Sequence, residues 1–167
     1  MHARRTDSDP PPPARRPRSG AIRRVDRERP PLASLTVLVV DDHEDTRLMF
    51  VEYLGCHGAR AIAVPDVREA TSVLTGIQVD VVVTDVAMPQ EDGYALIARM
   101  DRHPTWVDIP RVIVSGQSSP DEAHERGARA LYLSKPVALD ELVRVVALAS
   151  ASATPACGPA RDVVATR

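Results

Sequence analysis

Five short apolar runs punctuate the middle of the chain, at Leu35 to Val40, Ala59 to Val64, Val79 to Thr84, Arg111 to Ser115 and Ala130 to Leu133. Four of them are rich in Val, Ile or Leu at successive positions, without the apolar/polar alternation of a strand that has one wet face. That pattern belongs to strands of a parallel sheet covered on both sides. Between the runs lie stretches of helical period, for example Leu96, Ile97 and Met100, and later Leu139, Leu142, Val143 and Val146. Asp66-Val67-Arg68-Glu69 and Ser119-Pro120-Asp121-Glu122 read as capping boxes, the second with proline at the first helical position. Five such βα units predict an α/β fold, an open five-stranded parallel sheet with helices on both faces.

A chain of 167 residues suits one domain with flexible ends. Residues 1–34 are mostly Arg and Pro with little to bury, so a disordered extension is expected there. Residues 35–150 form the expected domain, and the Ala/Thr/Pro mixture of 151–167 a flexible tail. The net charge of -2 hides a basic N-terminus and an acidic body, which argues against direct DNA binding by the domain. Cys56 and Cys157 do not make a disulfide framework, which favours a reducing compartment. No run approaches the roughly 20 apolar residues of a membrane span. A cytoplasmic protein without membrane insertion is expected.

In open α/β sheets the binding crevice lies beyond the carboxyl ends of the strands, where the strand order reverses. The reactive residues of this chain sit at those ends. Asp41 and Asp42 follow the first run, Asp85 the third, Ser115 closes the fourth, and Lys135 comes just after the fifth. Clustered carboxylates repel one another unless a cation is present. Mg²⁺, a small hard ion that takes oxygen ligands and keeps several waters, is the expected cofactor. The same set suits phosphoryl transfer, with Asp85 as nucleophile and Lys135 and Ser115 as donors to the phosphoryl oxygens. Lys135 is the only lysine among 21 Lys and Arg residues. A compact, rotatable ammonium fits a small oxyanion better than a planar guanidinium does. His43, beside the acidic pair, lacks a second histidine at ligand spacing and is read as an exposed loop residue. His57, His103 and His124 are read as solvent-facing.

Four pieces in order carry a family resemblance. They are Val39-Val40-Asp41-Asp42 with Arg47 beyond, Thr84-Asp85-Val86-Ala87-Met88-Pro89 leading to Asp92-Gly93, Val112-Ile113-Val114-Ser115-Gly116, and Gly127-Ala128 leading to Tyr132-Leu133-Ser134-Lys135-Pro136. Together they resemble the receiver domain of two-component response regulators, in its single-domain, chemotaxis-regulator-like form. The resemblance implies a flavodoxin-like strand order 2-1-3-4-5 and a cis Lys135-Pro136 bond. It implies Asp85 as phosphoacceptor, with Asp41, Asp42, Asp85 and the backbone carbonyl of Ala87 around Mg²⁺. Ser115 becomes the switch hydroxyl and Tyr132 the aromatic that follows it. Ser115 stands where threonine is commoner, and Gly116 is small. With Gln117 and Ala87 flanking the water path, that predicts a phosphoaspartate that hydrolyses itself.

The implied function is a phosphorelay switch, not a turnover enzyme. A sensor histidine kinase or phosphotransfer protein is the expected donor. About 17 residues follow the last βα unit, so output is expected through an unknown protein target rather than a domain of the chain's own. That target would read the face made by the helix after Ser119, the fifth strand and the last helix. The alternative is a receiver-fold scaffold that works without phosphorylation. A hydrolase using an aspartyl phosphate wants an acid two residues after the nucleophile, where this chain has Ala87.

Overall fold

The apolar runs become strands and the periodic stretches become helices in a computed structural model that describes residues 29–116 and 130–152. In chain order the elements are β1 (Thr36–Val40), α1 (Glu44–Cys56), β2 (Arg60–Val64), α2 (Val67–Gly76), β3 (Val81–Asp85), α3 (Gly93–Arg102), β4 (Arg111–Ser115), β5 (Leu131–Ser134) and α4 (Leu139–Ser152). All strand pairs are parallel, and the order is β2-β1-β3-β4-β5, the flavodoxin-like arrangement expected. The expected helix after Ser119, together with His124 and Gln117, lies outside the described residues.

Period-two alternation sorts the strand residues between two cores. Val37, Val39, Val81, Val83, Val112 and Val114 face Phe50 and Leu54 of α1 and Leu142 and Val146 of α4. Leu38, Val40 and Val82 face the other way, onto Ala70 and Leu74 of α2 and Leu96 and Met100 of α3. Helices therefore cover both faces, and β3 and β4 are buried at every position. Each such aliphatic side chain contributes roughly 1.5–3 kcal/mol by leaving water. The outer strands β2 and β5 are only partly buried.

Residues just ahead of the expected domain, which was read as starting at residue 35, already pack against it. Leu32 is fully buried in the first core, and its N–H donates to the His57 carbonyl at 3.1 Å. Residues 31–34 form a turn, closed by the Ala33 N–H on the Pro30 carbonyl at 2.9 Å. Gly58, at φ +93°, admits this turn, since a Cβ there would stand 2.8 Å from that of Pro30. An Arg/Pro-rich composition averaged over 34 residues conceals one leucine with a place in the core.

Local capping differs from expectation in detail. Asp66 accepts the Glu69 N–H at 2.7 Å, but the Glu69 carboxylate stands 3.9 Å from the Arg68 guanidinium, so the box is only half closed. β3 starts at Val81 and not Val79, because Asp80 pairs with Thr36 instead. Its carboxylate accepts the Thr36 N–H at 2.7 Å and its own N–H donates to the Thr36 carbonyl at 2.8 Å. His57 and His103 are half-buried instead of solvent-facing. The Nδ1 of His57 lies 2.8 Å from the Tyr53 carbonyl, and His103 stacks on Trp106.

Candidate functional site

Parallel pairing puts the carboxyl ends of all five strands on one edge, and register then decides which residues meet there. Val40 pairs with Thr84, so Asp41 and Asp85 emerge side by side from the two central strands. Asp85 itself pairs with Val114, and Ser115 with Ser134, which brings the ends of β4 and β5 alongside. Asp85 is thus the last residue of its strand rather than the first residue beyond it. Its backbone is fixed by the ladder and its side chain by what surrounds it.

Both Asp85 oxygens are held. Oδ1 accepts the N–H groups of Val86 at 2.7 Å and Ala87 at 3.3 Å, and Oδ2 accepts from Lys135 Nζ at 2.9 Å. The same ammonium reaches Asp41 Oδ2 at 3.2 Å. Asp41 and Asp85 are 2% and 3% exposed, so one cation lies between two buried carboxylates. Asp41 is further fixed by Arg47, whose guanidinium donates to the Asp41 carbonyl at 2.7 Å, and its Oδ1 accepts the His43 N–H at 2.8 Å.

Burial works against the charge on Lys135, but the hydrogen bond to Asp85 and the charges of Asp41 and Asp85 outweigh it, and its pKa is raised above the usual 10.5. A group raised in the folded state lends stability that is fully present below its unfolded pKa and is lost as pH rises through the folded one. The metal-free chain is therefore expected to lose stability on the alkaline side of pH 10.5. Tyr53, raised by its hydrogen bond to Asp140, bends the curve the same way. Urea midpoints followed from about pH 9 to about pH 12 in the parent and in Lys135→Met isolate the lysine: its share of the alkaline fall should vanish in the variant, and identical curves would refute the assignment.

Ser115 is buried at the end of β4, and its carbonyl accepts the Lys135 N–H at 2.9 Å, tying the two strand ends together. Tyr132 packs beside Val86, Tyr94, Ile97 and Ile113, with its hydroxyl buried and without a hydrogen-bond partner among the described residues. Ala87 is exposed on the loop after β3. The Lys135-Pro136 bond is cis, as expected.

Two residues matter more than their letters suggested. Gly93 opens α3 directly against the site: a Cβ there would stand 2.2 Å from the Asp85 carbonyl oxygen. His43 is the N-cap of α1 and is exposed, but its Nδ1 lies 3.0 Å from Asp42 Oδ1 and 3.6 Å from Asp41 Oδ1. Asp41, Asp42, His43 and Asp85 each place one ligand atom within 4.8 Å of the others, a donor set that fits a divalent cation.

Known proteins agree with this geometry. The family model described as "Response regulator receiver domain" matches residues 37–147. The chain is 36% identical over 117 residues to an uncharacterized 14.6 kDa protein in the sodA1 3' region of Leptolyngbya boryana, covering 69% of this chain and 89% of that protein. It is 33% identical to the regulatory protein VirG of Agrobacterium tumefaciens over 68% of this chain, yet spans only 42% of VirG. It is 32% identical to the sensor histidine kinase RcsC of Salmonella typhi, spanning 14% of that kinase. Among solved structures, the receiver domain of Francisella response regulator 1452 matches with a TM-score of 0.64 at 26% identity, covering 70% of this chain and 97% of that one. The chemotaxis protein CheY4 of Vibrio cholerae matches at 0.65 and 25%, covering 70% and 99%. With two thirds of its length matched by the family model and the strand order to go with it, this chain belongs to the receiver domains of two-component response regulators.

Proposed function

We propose that this receiver takes a phosphoryl group on Asp85 from the phosphohistidine of a sensor histidine kinase or phosphotransfer protein, and changes a partner-binding face in response. The observation that carries the reading is the single ammonium of Lys135 between Asp41 and Asp85, at 3.2 and 2.9 Å. An Asp85 oxygen attacks phosphorus, the P–N bond to the donor imidazole breaks, and its electron pair leaves on that ring. The product is an acyl phosphate. Lys135 then has donors for a phosphoryl oxygen, with the Ser115 hydroxyl as the second donor.

Asp41, Asp42, Asp85 and the carbonyl of Ala87 are the proposed holders of Mg²⁺, which when bound supplies charge neutralisation for the phosphoryl oxygens. Ser115 and Tyr132 are the proposed switch, the buried Tyr132 hydroxyl, which has no hydrogen-bond partner among the described residues, being the group with most to gain from a rearrangement. Among the described residues, a Cβ added at Gly116 would meet only the Lys135 Cβ at 3.7 Å, an ordinary contact. That uncrowded approach supports a phosphoaspartate open to hydrolysis. No helix among the described residues is long and apolar enough to cross a membrane. Work in the cytoplasm alongside a kinase, with output through a separate protein target, completes the proposal.

Incubation with a small acyl phosphate donor and Mg²⁺ tests it. One base-labile phosphoryl group per chain is expected, blocked by a chelator. Absence of any uptake by the intact protein would leave the phosphorylation-independent scaffold as the better reading.

A further inference from the structure

Of the cluster of Asp41, Asp42, His43 and Asp85 found among the described residues, His43 is the side chain that the phosphoryl-transfer reading does not use. It makes no side-chain cap bond to α1, the usual occupation of an N-cap residue. Its backbone is pinned instead, by the Asp41 carboxylate on its N–H at 2.8 Å, and its ring nitrogen is turned toward Asp42 and Asp41 at 3.0 and 3.6 Å. Octahedral bonds of ~2.1 Å put neighbouring donors ~3.0 Å apart and opposite donors ~4.2 Å apart. The His43 nitrogen and the three carboxylates, all within 4.8 Å of one another, fall close to that range.

The arrangement around Asp41 separates two jobs. Its Oδ2 faces Lys135, whereas its Oδ1 faces His43. A cation on the Oδ1 side therefore meets the imidazole without displacing the ammonium. The ring is 69% exposed and Asp42 is 26% exposed, so this side is open to ions from solution. Oxygen donors serve Mg²⁺, which accepts imidazole poorly, whereas Ni²⁺, Zn²⁺ and their neighbours take imidazole readily.

We propose that His43 is a nitrogen ligand of the site's cation when that cation is a transition metal. This chain would then hold such ions more tightly than its carboxylates alone do. The inference rests on the cation site of the proposed function.

Calorimetric titration of the whole protein with Mg²⁺ and, separately, with Ni²⁺ tests it in the parent, His43→Gln and Asp41→Asn. Outer-shell partners of metal ligands are typically worth about 10–100-fold in affinity, so losing a direct ligand should cost at least about tenfold. The expected result is a loss of about tenfold or more for Ni²⁺ in His43→Gln, with Mg²⁺ affinity changed less than about twofold. The His43 ring ¹⁵N resonances should also shift or broaden when Ni²⁺ is added, and stay in place with Mg²⁺. Unchanged Ni²⁺ affinity in His43→Gln, or an equal loss for both ions, overturns the inference while leaving the carboxylate site intact. Failure of Asp41→Asn to weaken either ion would sink the cation site itself, and this inference with it.

Discussion

Replacing Asp85 by asparagine is expected to abolish phosphoryl uptake completely and to leave the fold standing. The amide is not a nucleophile at phosphorus, and among the described residues no other buried carboxylate is held at the end of a central strand with Lys135 on one oxygen and two backbone N–H groups on the other. The shape of the residue is kept, and an amide oxygen at the Oδ1 position still accepts from Val86 and Ala87. What changes is the other atom, where an NH₂ group would confront the Lys135 ammonium, donor against donor, across 2.9 Å. Lys135 is 30% exposed and can relax onto Asp41, already 3.2 Å away. Removing the lysine instead would leave two buried carboxylates facing each other without a cation, the costlier way to break a pair. Hence Asp85→Asn should shift stability by no more than about 1–2 kcal/mol, the scale of one exchanged buried hydrogen bond. Intact-mass measurement after incubation with the donor reads the first effect, and urea unfolding the second. Uptake by the asparagine variant at the parent's stoichiometry would move the acceptor elsewhere and end the proposed role of Asp85.

The features that sequence could reveal are those set by local periodicity and by the direction of parallel strands. Valine after valine in β3, in a run of strand length, reads as a strand with both faces covered, and the covering helices follow. Once the strands are parallel, Asp41, Asp85, Ser115 and Lys135 share an edge, whatever the loops between them do. The features missed depend on contacts that no local pattern encodes. Leu32 is a single apolar residue in a polar stretch, and the turn that carries it packs its Pro30 and Ala33 against Gly58, 26 residues further along from Leu32. Asp80 lies in an apolar run and so reads as part of a strand, but its partner is Thr36, which only the fold brings near. On α1 the exposed Leu48 and Met49 blur the period that Phe50 and Leu54 would otherwise announce. His43 is exposed, as its loop position and lack of a second histidine imply, yet exposure says nothing about where its ring nitrogen points. Gly93 was visible as part of a motif, without its reason.

That reason supplies the second large effect. Gly93→Ala is expected to cost about 3 kcal/mol, the upper end for forced overpacking, because the added methyl would lie 2.2 Å from the Asp85 carbonyl oxygen and 3.0 Å from Thr84 Oγ1. The obstacle is backbone, not the yielding tip of a side chain. Either the first turn of α3 or the end of β3 must move. The helix end is tethered by Asp92, which accepts the Ala95 N–H at 2.8 Å, and by the Gly93 N–H on the Val86 carbonyl at 3.2 Å. The strand end carries the proposed acceptor. Phosphoryl uptake should therefore fall even in the fraction that remains folded, by up to about 100-fold for a displacement near 1 Å. Gly55→Ala is the internal control: it lies within α1 with nothing within 4 Å of its Cβ position, and should stabilise the chain by roughly 0.5–1 kcal/mol through helix propensity alone. If Gly93→Ala unfolds at the same urea concentration as the parent and takes up phosphoryl at the same rate, the close approach of α3 to β3 does not govern the geometry of Asp85. If stability falls while the rate per folded molecule holds, the helix yields and the strand does not, and the acceptor is anchored by its ladder to β4 rather than by the glycine beside it.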